Sequence, residues 1–229
     1  MSHHESTAKG PDSRMVDRML FFSDAVFAVA LTIMVLEMHA PVMEGMGEAF
    51  QTSPSALWHA LGELGHVTFA LVISFILVGM WWTVHMRVTR NLHQFDWAVA
   101  VCNLLFIFCV MMTPFAASVL GSNVMNPAAW QIYWGVNAAS SASLTLMMLV
   151  ASRDGGRLVG GMTGRERAAR ILQSIGPGIG FGVGSYLAGA GQLELSRWCW
   201  LIIPPVMMIA RAIHHQKKTP KPETPAAAE

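Results

Sequence analysis

Six runs of apolar residues, each about the length that crosses a bilayer, follow one another along this chain at 19–38, 66–86, 97–120, 130–151, 168–190 and 198–213. A helix needs about 20 such residues to traverse the ~30 Å hydrocarbon core. In that core the helix is one of only two backbone forms that leave no peptide group unpaired. The composition agrees: 53% of the 229 residues are hydrophobic and 13% charged, against ~25% charged in an ordinary soluble domain. The first run is too long for a cleavable signal peptide, holds an acid and lacks a small-residue cleavage site. A net charge of +1 gives no reason to expect a nucleic-acid partner.

The charges are unevenly placed. Lys9, Arg14 and Arg18 precede the first run, and Arg87 and Arg90 follow the second. Arg153, Arg157, Arg165, Arg167 and Arg170 separate the fourth from the fifth, and Arg211, Lys217, Lys218 and Lys221 follow the sixth. Of the fifteen basic residues, Arg197 alone falls in the other set of connections. The first of these, 39–65, holds Glu44, Glu48 and Glu63 instead. The excess of Lys and Arg on alternate connections puts both termini in the cytoplasm. The expected fold is therefore an all-α integral membrane protein of six transmembrane helices. Residues 1–14 and 216–229 read as disordered cytoplasmic tails around one membrane domain, 15–215.

Between the runs, SALWHALGELGH reads as a short surface amphipathic helix, and RDGGRLVGGMTGRERAAR as a flexible Gly-rich loop. The fifth run contains Gly176, Gly178, Gly180, Gly182 and Gly184. Potassium filters built of backbone carbonyls use TVGYG loops, and that motif is absent here. The glycines form overlapping small-xxx-small pairs, which let helices approach closely. Cys102, Cys109 and Cys199 all lie within runs, without CxxC spacing, and read as small core residues. His3, His4, His214 and His215 read as solvated tail residues.

The first run carries the chemistry. An intramembrane carboxylate such as Asp24 costs several kcal/mol unless a partner answers it. On a helical wheel of ~100° per residue, Ala25, Val29, Thr32 and Leu36 fall within one narrow stripe. Ser23 and Asp24 lie roughly 120° and 140° away from Val29. By spacing alone the stripe is either ordinary packing or a lining. Ser23 and Asp24 read as a polar clasp to neighbouring helices, with Trp81 or Trp82, His85 and Asn103 as partners. Indole, imidazole and amide groups all donate to oxygen. Arg18 falls near the stripe at its cytoplasmic mouth, where it can snorkel to the interface, pair across subunits or bend toward the clasp.

Arg18-x-x-x-Phe22-Ser23-Asp24 resembles the RxxxFSD signature in the first helix of the transmembrane protein 175 family of potassium channels. Ser74-Phe75, Trp82-x-x-His85, Asn103-Leu104-Leu105 and Pro114-Phe115 extend the resemblance through about the first 120 residues. The last three runs match that family only in number and length. The resemblance implies a homotetramer in the bacterial plasma membrane, with the first helix lining a central pore and side-chain rings replacing a carbonyl filter. Carried over by position, Val29 is the cytoplasmic-side apolar ring, Thr32 the hydroxyl ring and Leu36 the outer apolar ring. Arg18, Phe22, Ser23, Asp24, Trp82, His85 and Asn103 then form the signature that holds the inner helices together. Val29 departs from the Leu or Ile often found at that position, which implies a wider or more easily wetted ring. The permeant ion is K+, and no cofactor or resident metal is expected.

Other functions fit some of the same residues. Asp24 and His85 are the types a proton-coupled secondary transporter uses, although inverted repeats and broken midplane helices are not evident. A haem protein or membrane enzyme would draw on His59, His66, His85 and His93, which the charge pattern assigns to opposite ends. A purely structural membrane protein is the third reading.

Overall fold

The computed structural model of the protein describes residues 11–41 and 53–202, together with Pro205 and Met208. Every regular element among them is helical. In chain order they are α1 (Pro11–Leu36), α2 (Pro54–Glu63), α3 (Gly65–Thr89), α4 (Trp97–Met111), α5 (Thr113–Ser122), α6 (Pro127–Ala151), α7 (Gly164–Gly189) and α8 (Leu193–Trp198). Two 3₁₀ turns, Asp154–Val159 and Cys199–Ile202, complete the set.

The helix starts are written locally. Pro11, Pro54 and Pro127 each open a helix, where the missing N–H is no loss. Asp96 caps α4 by accepting from the Ala98 and Val99 amides, and Asn126 caps α6 through Ala128. Thr163 and Glu166 form a reciprocal capping box at the start of α7.

Among the described residues four stretches are long and apolar enough to cross a membrane: Pro11–Leu36, Gly65–Thr89, Trp97–Ser122 and Pro127–Ala151. The third is interrupted, since α4 stops at Met111 and α5 starts at Thr113. Pro114 explains the break, because its ring has no N–H to continue the ladder and crowds the carbonyl four residues back. The fifth expected span coincides with α7, whose 26 residues suffice for a crossing. Arg165, Glu166, Arg167 and Arg170 occupy its first two turns, however, so its apolar stretch begins only at Ile171. The sixth expected span lies mostly outside the described residues, as do the four terminal histidines, Lys9, Glu44, Glu48 and the basic residues beyond 210.

Two expectations change. The amino-terminal tail cannot extend to residue 14, because α1 begins at Pro11 with Asp12 in its first turn, a favourable start for the helix dipole. The Gly-rich 153–170 segment is ordered in place of a flexible loop, with a 3₁₀ turn at Asp154–Val159 and α7 starting at Gly164. Gly155, Gly156, Gly160 and Gly161 take positive φ there while Leu158 and Val159 are buried. Glycine adopts that left-handed backbone without a Cβ penalty. The His93 amide donates to the Leu158 carbonyl, and Arg153 meets Asp96 at 2.6 Å, tying this turn to the α3–α4 connection.

The interior is an aromatic chain across the bundle. Phe27 of α1 meets His85 and Phe106, Phe106 meets Trp81, and Trp81 meets Phe181, which stacks on Trp134 at 5.5 Å. The α6 and α7 helices pack over most of their length. Gly176, Gly180 and Gly184 form a buried stripe on α7, and a Cβ on Gly184 would meet the Trp134 ring at 2.9 Å. The glycine run thus acts as a close-packing seam.

Candidate functional site

Helix α1 is covered on one side only. Val16, Ser23, Phe27, Ala30 and Met34 are buried against α3, α4 and α5. Met19, Leu20, Val26 and Leu31 flank them half-buried, and the opposite side of the helix is bare.

On the buried side the polar residues form a directed chain. The Ser23 hydroxyl donates to the Met19 carbonyl at 2.9 Å, which a serine inside a helix readily does. Its oxygen is then left to accept, and Asn103 Nδ2 donates to it at 2.8 Å. That fixes the amide the other way round towards His85. Asn103 Oδ1 accepts from His85 Nε2 at 2.8 Å. Because Asn103 Oδ1 can only accept, this chain from the Met19 carbonyl makes His85 Nε2 the donor. Ser23, Asn103 and His85 are all essentially inaccessible, and the network leaves none of them unpaired, as low-dielectric surroundings require.

Asp24 stands beside this chain and outside it. The Trp82 indole donates to Asp24 Oδ1 at 3.0 Å, and both residues are exposed. Trp81 turns away to donate to Asn137 Oδ1 of α6 at 3.1 Å. Asn103 serves Ser23 in place of the carboxylate expected from donor chemistry. Asp24 and His85 have separate partners. Arg18 and Phe22 are exposed on the stripe side, so the fold brings Ser23, Asp24, Trp82, His85 and Asn103 together and leaves these two apart.

The opposite face carries Val29, Thr32 and Leu36. Val29 is 52% exposed, Leu36 is 74% exposed, and Thr32 is also exposed. The Thr32 hydroxyl donates to the Val29 carbonyl at 2.8 Å. With its proton occupied, the oxygen presents its remaining lone pairs outward, which suits a cation better than an anion.

Three buried links had no counterpart in the sequence reading: Ser74 with Tyr133 at 2.9 Å, Trp81 with Asn137, and Trp134 donating to Ser196 at 3.1 Å. Each joins helices far apart in sequence, and no local pattern signals such a pairing. The Asp96 cap was findable, because an acid directly before an apolar run is a helix-start signal.

This fold and this helix define an all-helical membrane protein in which one span is held by its back and left bare in front. Residues 18–114 match the family model described as "Endosomal/lysosomal potassium channel TMEM175". The match takes in the first helix and the two spans after it, less than half of the chain. It is similar to a potassium channel of Streptomyces collinus, at 34% identity over 45% of this chain and 46% of that protein. A potassium channel of a Chryseobacterium species is 30% identical over 49% of this chain and 53% of the relative. The chain thus spans about half the length of these two relatives. A potassium channel of Chamaesiphon minutus aligns more fully, at 26% identity over 83% of this chain and 90% of its own length. The crystal structure of a lysosomal potassium-selective channel TMEM175 homolog from that organism shares the fold, with TM-score 0.66 and 22% identity. It covers 90% of this chain and 100% of the solved chain.

Proposed function

We propose that this protein is the subunit of a potassium-selective channel and that α1 lines its pore. One observation carries the reading. The face of α1 bearing Val29, Thr32 and Leu36 is bare along the length of a span whose other face is buried and hydrogen-bonded. Four copies arranged around an axis would cover those faces and set three rings at successive depths. The Val29 and Leu36 rings would constrict the path, and the Thr32 ring would replace part of an ion's hydration shell. No TVGYG sequence is present to build a carbonyl filter, so hydroxyl oxygens would supply the polar ligands, with weaker selectivity than stacked carbonyls. In this reading both termini are cytoplasmic, the chain crosses six times, K+ is the permeant ion and no cofactor is needed.

A proton-coupled transporter using Asp24 and His85 is less well supported, because Asp24 pairs with Trp82 and His85 with Asn103. The deciding experiment is potassium flux from liposomes under a K+ gradient. Wild type should conduct without a proton gradient, Thr32→Val should lower potassium over sodium permeability, and Leu36→Ala should raise conductance. Flux that saturates and requires a proton gradient would sink the channel reading. Unchanged selectivity in Thr32→Val would remove Thr32 from it.

A further inference from the structure

Helix α2 has two solvent faces of opposite character. Leu57, Trp58 and Leu61 lie within an arc of about 100°, and all three are exposed, Trp58 at 73%. Ser55, His59 and Glu63 occupy a separate arc of roughly 80°. There His59 Nδ1 faces Glu63 Oε1 at 4.0 Å, with both side chains largely in solvent. A third side, marked by buried Ala56, rests the helix against α3.

Its position follows from its attachment. Leu64 is the single residue between α2 and α3, closing the first helix and opening the second. The α3 helix has 25 residues, about 37 Å of rise, against a ~30 Å hydrocarbon core. The first turn of α3 therefore stands at headgroup level, at the end of the span away from Arg87 and Arg90, and the Glu63 end of α2 is held at the same depth. Phe69, Val72 and Ile76 continue an exposed apolar strip down α3 below it.

We infer that α2 is an interfacial anchor. It lies in the headgroup layer of the bilayer with Leu57, Trp58 and Leu61 set into the acyl boundary and His59 and Glu63 in water. A separate apolar and polar face with Trp at the boundary is the pattern of helices that lie on membranes. Residues 53–65 contain no Lys or Arg and one acid, Glu63, so the surface it fits is zwitterionic lipid. The inference rests on α3 being a membrane span and does not depend on conduction.

The test places a nitroxide at Trp58→Cys or His59→Cys in the full chain, with Cys102, Cys109 and Cys199 replaced by alanine, in phosphatidylcholine vesicles. At position 58, oxygen in the bilayer should relax the label several-fold more than a water-soluble nickel chelate, and position 59 should show the reverse. Nickel access at 58 equal to that at 59 would overturn the inference. So would shielding of 58 from both reagents, which would mean a neighbouring subunit covers the helix. Should the cysteine variants fail to fold, brominated phosphatidylcholine should quench wild type more than Trp58→Phe, and equal quenching overturns the inference. Potassium flux from the same vesicles separates the two proposals: flux with a water-exposed position 58 removes the anchor alone.

Discussion

Helix α1 and helix α7 are fixed to the bundle by opposite means. In α1, 22% of the most apolar window is buried, against 56% in α6, the helix on which α7 packs. Beyond the packing of Phe27, Ala30 and Met34, α1 is joined to its neighbours by directed hydrogen bonds, from Asn103 to Ser23 and from Trp82 to Asp24. The α6–α7 seam relies on shape, with Gly178 and Gly184 set directly against Ser141 and Trp134. Lipid tails are as apolar as leucine, so helices in a bilayer associate through packing and polar contacts and gain little from apolar burial. The seam uses the first and the clasp the second. A helix held along one side keeps its other side free, as the proposed lining role of α1 requires. A scaffold needs no free side.

The seam should break hardest. A Cβ on Gly178 would fall onto the Ser141 hydroxyl, which is itself buried and donating to the Ser174 carbonyl. Gly178→Ala should destabilise the protein by about 3 kcal/mol, since overpacking and a lost bond add. Gly182, one turn on, has nothing within 4 Å of the same position. Gly182→Ala should stabilise by up to about 1 kcal/mol through helix propensity. Thermal unfolding in detergent reads both. Equal effects would show that α7 tolerates side chains all round, and the seam would lose its contrast with the clasp.

The clasp comes next. Asn103→Leu leaves the His85 N–H and the Ser23 hydroxyl oxygen without their partner in a buried site, at a cost of about 2 kcal/mol. Ser23→Ala should cost about 1 kcal/mol, near the upper range for polar contacts between membrane helices. The two changes should not add, because they remove the same contact; a double-mutant cycle should return a coupling of about 1 kcal/mol. Strict additivity would mean that the directed chain does not act as a unit.

Much of this was legible in the residues. The apolar windows gave the helices, because length and composition decide crossings in a solvent that forbids unpaired backbone. The wheel separated Ser23 from Val29, Thr32 and Leu36 because α1 is one unbroken helix. The pairing of Asn103 with Ser23, and not with Asp24, was illegible. It depends on the rotational phase of α4 against α1, which no single helix encodes. The break at Met112 was missed by weighing the apolar run over Pro114. The order of the 153–163 stretch was illegible because glycines that permit a left-handed backbone look the same as glycines that permit disorder.

The smallest effect tests the edge of the clasp. Trp82 is 39% exposed, and its indole donates to an Asp24 that is itself exposed in the single chain. Trp82→Phe removes that N–H while keeping a large ring, and water can replace the donor at an open site. Thermal unfolding should therefore register a loss of about 0.5 kcal/mol, the low end for one net hydrogen bond. A loss equal to that of Asn103→Leu would break the comparison at this point. It would mean that assembly seals Asp24 from water, since only a desolvated carboxylate makes one donor worth that much. Asp24 would then belong with Ser23 on the buried side, and the free face of α1 would be narrower by that residue.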